Sequence, residues 1–174
     1  MHRRAWFVAL AASAQLAFAL AGCTDAETDK AELESYRLTM PVMEKLLKVN
    51  ASIYASVTSS PTLAATYRDM DERRTADESL AEMIARSESI SELKSAIAGA
   101  GLSTREWIVA NFAVFVAALD SGVEEIAGHA VDISTAARAN IAFLQTHDQE
   151  FKEWGASWNQ IDVEVKRLTK TTQD

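Results

Sequence analysis

Two imidazoles in the body of this chain could do chemistry, His129 and His147, and each has carboxylates nearby. Glu125 and Asp132 flank the first; Asp148 and Glu150 come just after the second. Histidine beside carboxylate can move protons or hold a divalent metal, and carboxylate sites in helix bundles use Glu-x-x-His pairs from two helices with further acids from the others. Here the order is reversed, His-x-x-acid in both places. No His-Glu-x-x-His, Gly-x-Ser-x-Gly or Gly-rich phosphate loop accompanies them. Catalytic residues, metal ligands and cofactors are therefore read as none, with His129 in a loop and His147 capping or joining the last helix. A metal-dependent enzyme built on His129, His147 and their acids is the least favoured alternative.

Tryptophan and asparagine supply a second constellation. Asn111 is the single polar residue between Trp107 and Leu119. A buried amide must find hydrogen bonds, either from the fold, where it fixes helix register, or from a ligand. Trp154 and Trp158 are four apart, so a helix presents both on one face. Trp107, Asn111, Trp154 and Trp158 are thus the candidate ligand-binding residues of an apolar cavity, the same pattern being the ordinary signature of a core.

Electrostatics removes other classes. The formal net charge is −8, and the first 22 residues hold two arginines and no acid, so the remainder of the chain is more acidic still. Such a chain has no general attraction for nucleic acid or anionic headgroups. Cys23 is the only cysteine, which rules out an internal disulfide and a multi-thiolate metal site.

The N-terminus points to export. Arg3 and Arg4 precede an apolar run from Trp6 to Leu20, too short to span a bilayer and laid out like a secretory signal peptide. Its last residues, Leu20-Ala21-Gly22-Cys23, resemble the lipobox of bacterial lipoprotein precursors. The resemblance implies cleavage before Cys23, a diacylglycerol thioether (lipidation) on that cysteine and acylation of the new amino group. Several acyl chains make membrane attachment effectively permanent, each buried methylene contributing ~0.8 kcal/mol. Thr24, where an aspartate would signal retention in the inner membrane, favours the outer membrane facing the periplasm.

The elements that must position these side chains read as helices throughout, since Gly and Pro are scarce and no stretch alternates for long. The segment 23–31 is polar and predicts a flexible lipidated tether. Leu33, Tyr36, Met40, Met43, Leu47, Asn50, Tyr54 and Val57 form one helical stripe, with a kink or fresh start expected near Thr39 because Pro41 lies inside it. Ser60-Pro61 predicts the N-terminus of a short helix carrying Leu63, Tyr67 and Met70. Capping-box spacings at Thr75/Glu78, Ser89/Glu92 and Ser103/Glu106 predict helices near 76–87, 90–99 and 104–120, the last closed by Gly122 and buried at the centre. Residues 121–138 read as mostly irregular. Leu144, His147, Phe151, Trp154, Trp158, Ile161, Val165 and Leu168 predict a final helix, expected to pair with the first around 104–120. The expected fold is an all-α, irregular bundle of five to six helices. Its organisation is a signal peptide 1–22, a tether 23–31, one domain 32–170 and a frayed tail 171–174.

Three short blocks, Tyr36-Arg37-Leu38-Thr39-Met40, Gly101-Leu102-Ser103-Thr104-Arg105-Glu106-Trp107 and Asn140-Ile141-Ala142-Phe143, resemble segments of uncharacterised small exported bacterial proteins. That implies a shared fold and no activity. Together these features point to a non-enzymatic, membrane-anchored lipoprotein that contacts an envelope protein partner or supports the envelope. A small apolar-ligand binder with a Trp-lined cavity is the first alternative.

Overall fold

The computed structural model describes residues 24–73, 78–127 and 134–170, with the backbone alone for 24–27, 30 and 120–127. Among the described residues there are eight helices and no strand: α1 Thr24–Ser35, α2 Met40–Ser59, α3 Pro61–Glu72, α4 Leu80–Glu88, α5 Ser91–Gly99, α6 Thr104–Ala127, α7 Thr135–Thr146 and α8 Asp148–Lys170. The chain is all-α, as its patterning requires.

Local chemistry sets most of the boundaries. Thr39 is the extended N-cap of α2 and Pro41 falls in the first turn, where its missing N–H has no intrahelical partner to lose. The stripe therefore breaks at 36–39 and restarts. Ser60 accepts from the Leu63 amide at 3.2 Å and Pro61 opens α3. Gly101, at φ +75°, turns the chain after α5; its amide reaches Ala98 O and the Leu102 amide reaches Ile97 O, the paired bonds of a Schellman stop. Lys45 and Lys48 of α2 donate to the carbonyls of Gly101 and Gly99, placing positive charge at the end of α5.

The caps differ in detail from the spacing-based expectation. The reciprocal capping box forms at Ser79 and Glu82, starting α4 at Leu80. Glu78 instead forks onto Arg86 at 2.6 and 2.7 Å, and Thr75 lies outside the described residues. Ser89 does not cap α5: Ile90 holds that position, and Glu92 accepts from the Ser91 hydroxyl. At Ser103 the expected cap is present, its hydroxyl accepting from the Glu106 amide at 3.1 Å.

The long helices α2 and α8 pack together, α3 lies on α8 and α5 on α2, while α6 packs against α4 and α7. Their shared core includes Met43, Leu46, Val49, Ile53 and Val57 of α2, Leu93 and Ile97 of α5, Val109 and Val114 of α6, and Ile161 and Val165 of α8. Trp107 to Ala110 are all buried, so one full turn near the start of α6 is enclosed on every side. No single described helix is long and apolar enough to cross a bilayer; α5 and the first part of α6 together are, but they meet at a bend of 81°.

Five expectations change. The polar segment read as a tether is helical from Thr24, and two acids of that helix, Asp29 and Glu32, are held by Arg105 from across the fold. Gly122 does not close α6, which runs through Ala127; a glycine costs a helix interior about 1 kcal/mol, too little to end one by itself. The segment 121–138 is helical at both ends, with 128–133 outside the described residues. The final helix is two helices, broken at His147, whose φ −113° and ψ 44° leave the helical region. The α2 stripe is also rotated slightly: Leu46, Val49 and Ile53 face inward, while Tyr54 is exposed.

Candidate functional site

The four residues singled out for a ligand site come together where α6 passes α8. Trp107 and Asn111 are one turn apart on α6, and Trp154 and Trp158 one turn apart on α8. The Trp154 Nε1–H donates to Asn111 Oδ1 at 3.1 Å, and Asn111 Nδ2 donates to the Trp107 carbonyl at 2.8 Å. The rings of Trp107 and Trp158 lie 6.3 Å apart at 45°, and Phe151 stacks on Trp154 at 6.1 Å. Trp107 is buried, and its Nε1–H has no hydrogen-bond partner. Trp154 and Trp158 are half-buried against the core.

Chemically this is a closed polar knot inside an aromatic seam. Both ends of the Asn111 amide are bonded to protein, so the residue ties the two helices in register. An open groove of about 420 Å³ lies elsewhere, between α2 and α5, lined by Ser52, Ser56, Ser91, Glu92, Ser95 and Ala96.

His147 sits at the α7–α8 joint with its ring 4.5 Å from that of Phe143, and His129 lies outside the described residues, as does Cys23. Among the described residues no three His, Cys, Asp or Glu side chains are grouped as metal ligands.

Two polar junctions carry more of the architecture than the sequence suggested. Asn140 is buried; its Oδ1 accepts from the Leu38 amide and its Nδ2 donates to the Tyr36 carbonyl, both at 2.9 Å. One side chain thus satisfies two backbone groups of the 36–39 break. The signal was present, since Ala136, Asn140 and Leu144 share a buried four-residue spacing on α7. At the second junction, Arg105 Nε and Nη2 donate to Glu32 Oε2 at 2.8 and 2.5 Å, and Nη2 also reaches Asp29 Oδ1 at 2.8 Å. These acids hold the Arg105 guanidinium even more firmly protonated than usual. Nearby, burial and the charges of Glu106 and Glu32 push the Tyr36 phenol up.

Compared with protein families, curated proteins and solved structures, the chain matches none of them.

Proposed function

We propose that this protein is a membrane-anchored, periplasm-facing lipoprotein whose helical body acts by contact with an envelope partner or by supporting the envelope, without catalysis. The observation that carries the reading is Leu20-Ala21-Gly22-Cys23 at the end of an arginine-led apolar run. The outer membrane is the favoured site of attachment. The Trp107–Asn111–Trp154 knot supports a contact role over a ligand role, because Asn111 spends both ends of its amide within the fold.

The anchor is tested by replacing Cys23 with Ser and labelling growing cells with fatty acid. Label should vanish and the chain should stay as an uncleaved precursor or leave the membrane fraction; label persisting on the Ser variant overturns the anchor, since the chain has no other cysteine. The non-catalytic part is tested by changing His129 and His147 together to Gln. A lipidated, folded double variant that behaves like a deletion of the protein would overturn it and direct attention to acid–base or metal chemistry.

One observation favours the apolar-ligand alternative: the buried Trp107 Nε1–H lacks an acceptor. A ligand carbonyl there would quench or shift tryptophan emission on titration with a small aromatic ketone such as benzophenone. Unchanged emission up to saturating probe would remove that reading.

A further inference from the structure

Helix α1 is attached to the body differently from every other helix. None of its described side chains is buried; Leu33 is half-buried against the core and Thr28, Ala31, Glu34 and Ser35 are exposed. Its sequence, Thr-Asp-Ala-Glu-Thr-Asp-Lys-Ala-Glu-Leu-Glu-Ser, has no apolar stripe and carries five acids against one lysine. An isolated helix of 12 residues is marginal in water, so α1 owes its form to what it rests on. It rests on α6 and α7. The side chains that reach it include Arg105 of α6, which grips Asp29 and Glu32, and Ser134, which donates to the Glu34 carbonyl at 3.0 Å. The whole chain is acidic, so an acidic helix is held on an acidic body through a local cation.

The connection after α1 is made in another way. Residues 36–39 are pinned by the buried Asn140 and by Leu38, which sits in the core. A firm point therefore succeeds a lightly held helix, which is the layout of a hinge and an arm.

We infer that α1 is a releasable strap, latched by Arg105 onto Asp29 and Glu32 and pivoting at the Asn140-pinned segment 36–39. Docked, its 12 helical residues span ~18 Å. Released, the segment melts and can extend to ~40 Å. On the lipid-anchor reading, whose cysteine immediately precedes Thr24, the latch sets how far the body stands from the membrane and uncovers the α6–α7 surface when it opens.

The test is amide hydrogen exchange of the full chain in solution, read by mass spectrometry, for wild type, Arg105→Gln and the double variant Asp29→Asn/Glu32→Gln. Charge-assisted bonds of this kind predict exchange about tenfold faster over 24–35 in both variants, with α2 and α7 unchanged. The strap is overturned if 24–35 exchanges alike in all three proteins. It is also overturned if only Arg105→Gln has an effect, or if protection falls equally in α6 and α7, which would make Arg105 a general packing residue. No membrane enters the assay, so a failed latch leaves the anchor reading standing, and a failed fatty-acid labelling leaves the latch standing.

Discussion

Trp154 Nε1 donates to Asn111 Oδ1 at 3.1 Å, joining the N-terminal third of α8 to α6 beside its buried turn. Replacing Asn111 by Leu leaves the half-buried Trp154 N–H without its acceptor and the Trp107 carbonyl without the Asn111 donor, which costs about 0.5–1.5 kcal/mol. Trp154→Phe removes the donor and leaves Asn111 partly unpaired, at a similar cost. The double variant should be less destabilised than the sum of the two, a coupling of about 0.5–3 kcal/mol in a urea double-mutant cycle. Strict additivity would mean that the bond contributes nothing. Because Trp154 is half-buried, Trp154→Ala should cost less than the 3–5 kcal/mol typical of a fully enclosed ring.

Asn140→Ala strips partners from the Leu38 amide and the Tyr36 carbonyl at once. Each buried backbone group left unpaired costs about 1–3 kcal/mol. A loss well above that of an exposed alanine substitution is expected in thermal or urea unfolding. Asn140→Asp should also fail to restore wild-type stability, because a carboxylate can accept from Leu38 N but cannot donate to Tyr36 O. Equal stability of Asn140→Asp and wild type would contradict the donated bond.

These junctions mark where sequence reasoning runs out. Helical class, the restart at Thr39, the Ser60-Pro61 cap and the shared faces of Trp107 with Asn111 and of Trp154 with Trp158 were legible because they depend on local sterics and on a repeat near 3.6. The partners of Arg105 and Asn140 were not. Glu32 and Asp29 stand more than seventy positions from Arg105, and no periodicity encodes a pairing across that distance. Helix α1 is misread for the same reason: its own residues describe a solvated segment, and the body it rests on, Arg105 included, lies far along the chain. The break at His147 was hidden because Leu144 and Phe151 keep the helical spacing across it. The segments 36–40 and 140–143 are bonded to each other through Asn140.

Tyr67 is buried, and its hydroxyl has no hydrogen-bond partner. Removing an unpaired buried hydroxyl relieves a desolvation penalty, so Tyr67→Phe should be neutral or stabilising by about 1 kcal/mol, seen as an equal or higher urea midpoint at unchanged slope. Burial, with the charge of Glu92, pushes the Tyr67 phenol well above its usual range. A raised folded value gives a contribution that is complete below the unfolded value, about 10, and is lost as pH rises beyond it. The alkaline decline in stability should therefore be shallower in Tyr67→Phe. A large destabilisation by this substitution would mean that the hydroxyl is bonded in solution.

The acid limb has the opposite sign and different residues. Thr104 donates to Glu88 at 3.0 Å with Lys94 beside it, holding that carboxyl below the usual carboxylate range. Arg167 forks onto Glu164 at 2.8 and 2.5 Å and lowers it in the same way. A carboxyl depressed by folding binds its proton more weakly in the native chain than in the unfolded one. Its contribution is therefore present above the unfolded value, about 4.3, and is lost as pH falls through the lower folded value. Lys94 and Glu88 are exposed, and Arg167 is exposed although Glu164 itself is buried, so each contribution is small and weakened by salt. The melting temperature should fall as pH drops from about 5 towards 3. Glu88→Gln and Glu164→Gln should each flatten that fall while changing little at pH 7, and the double variant should flatten it further because the two sites share no partner. A profile in the double variant as steep as in wild type would assign the acid limb to other carboxylates.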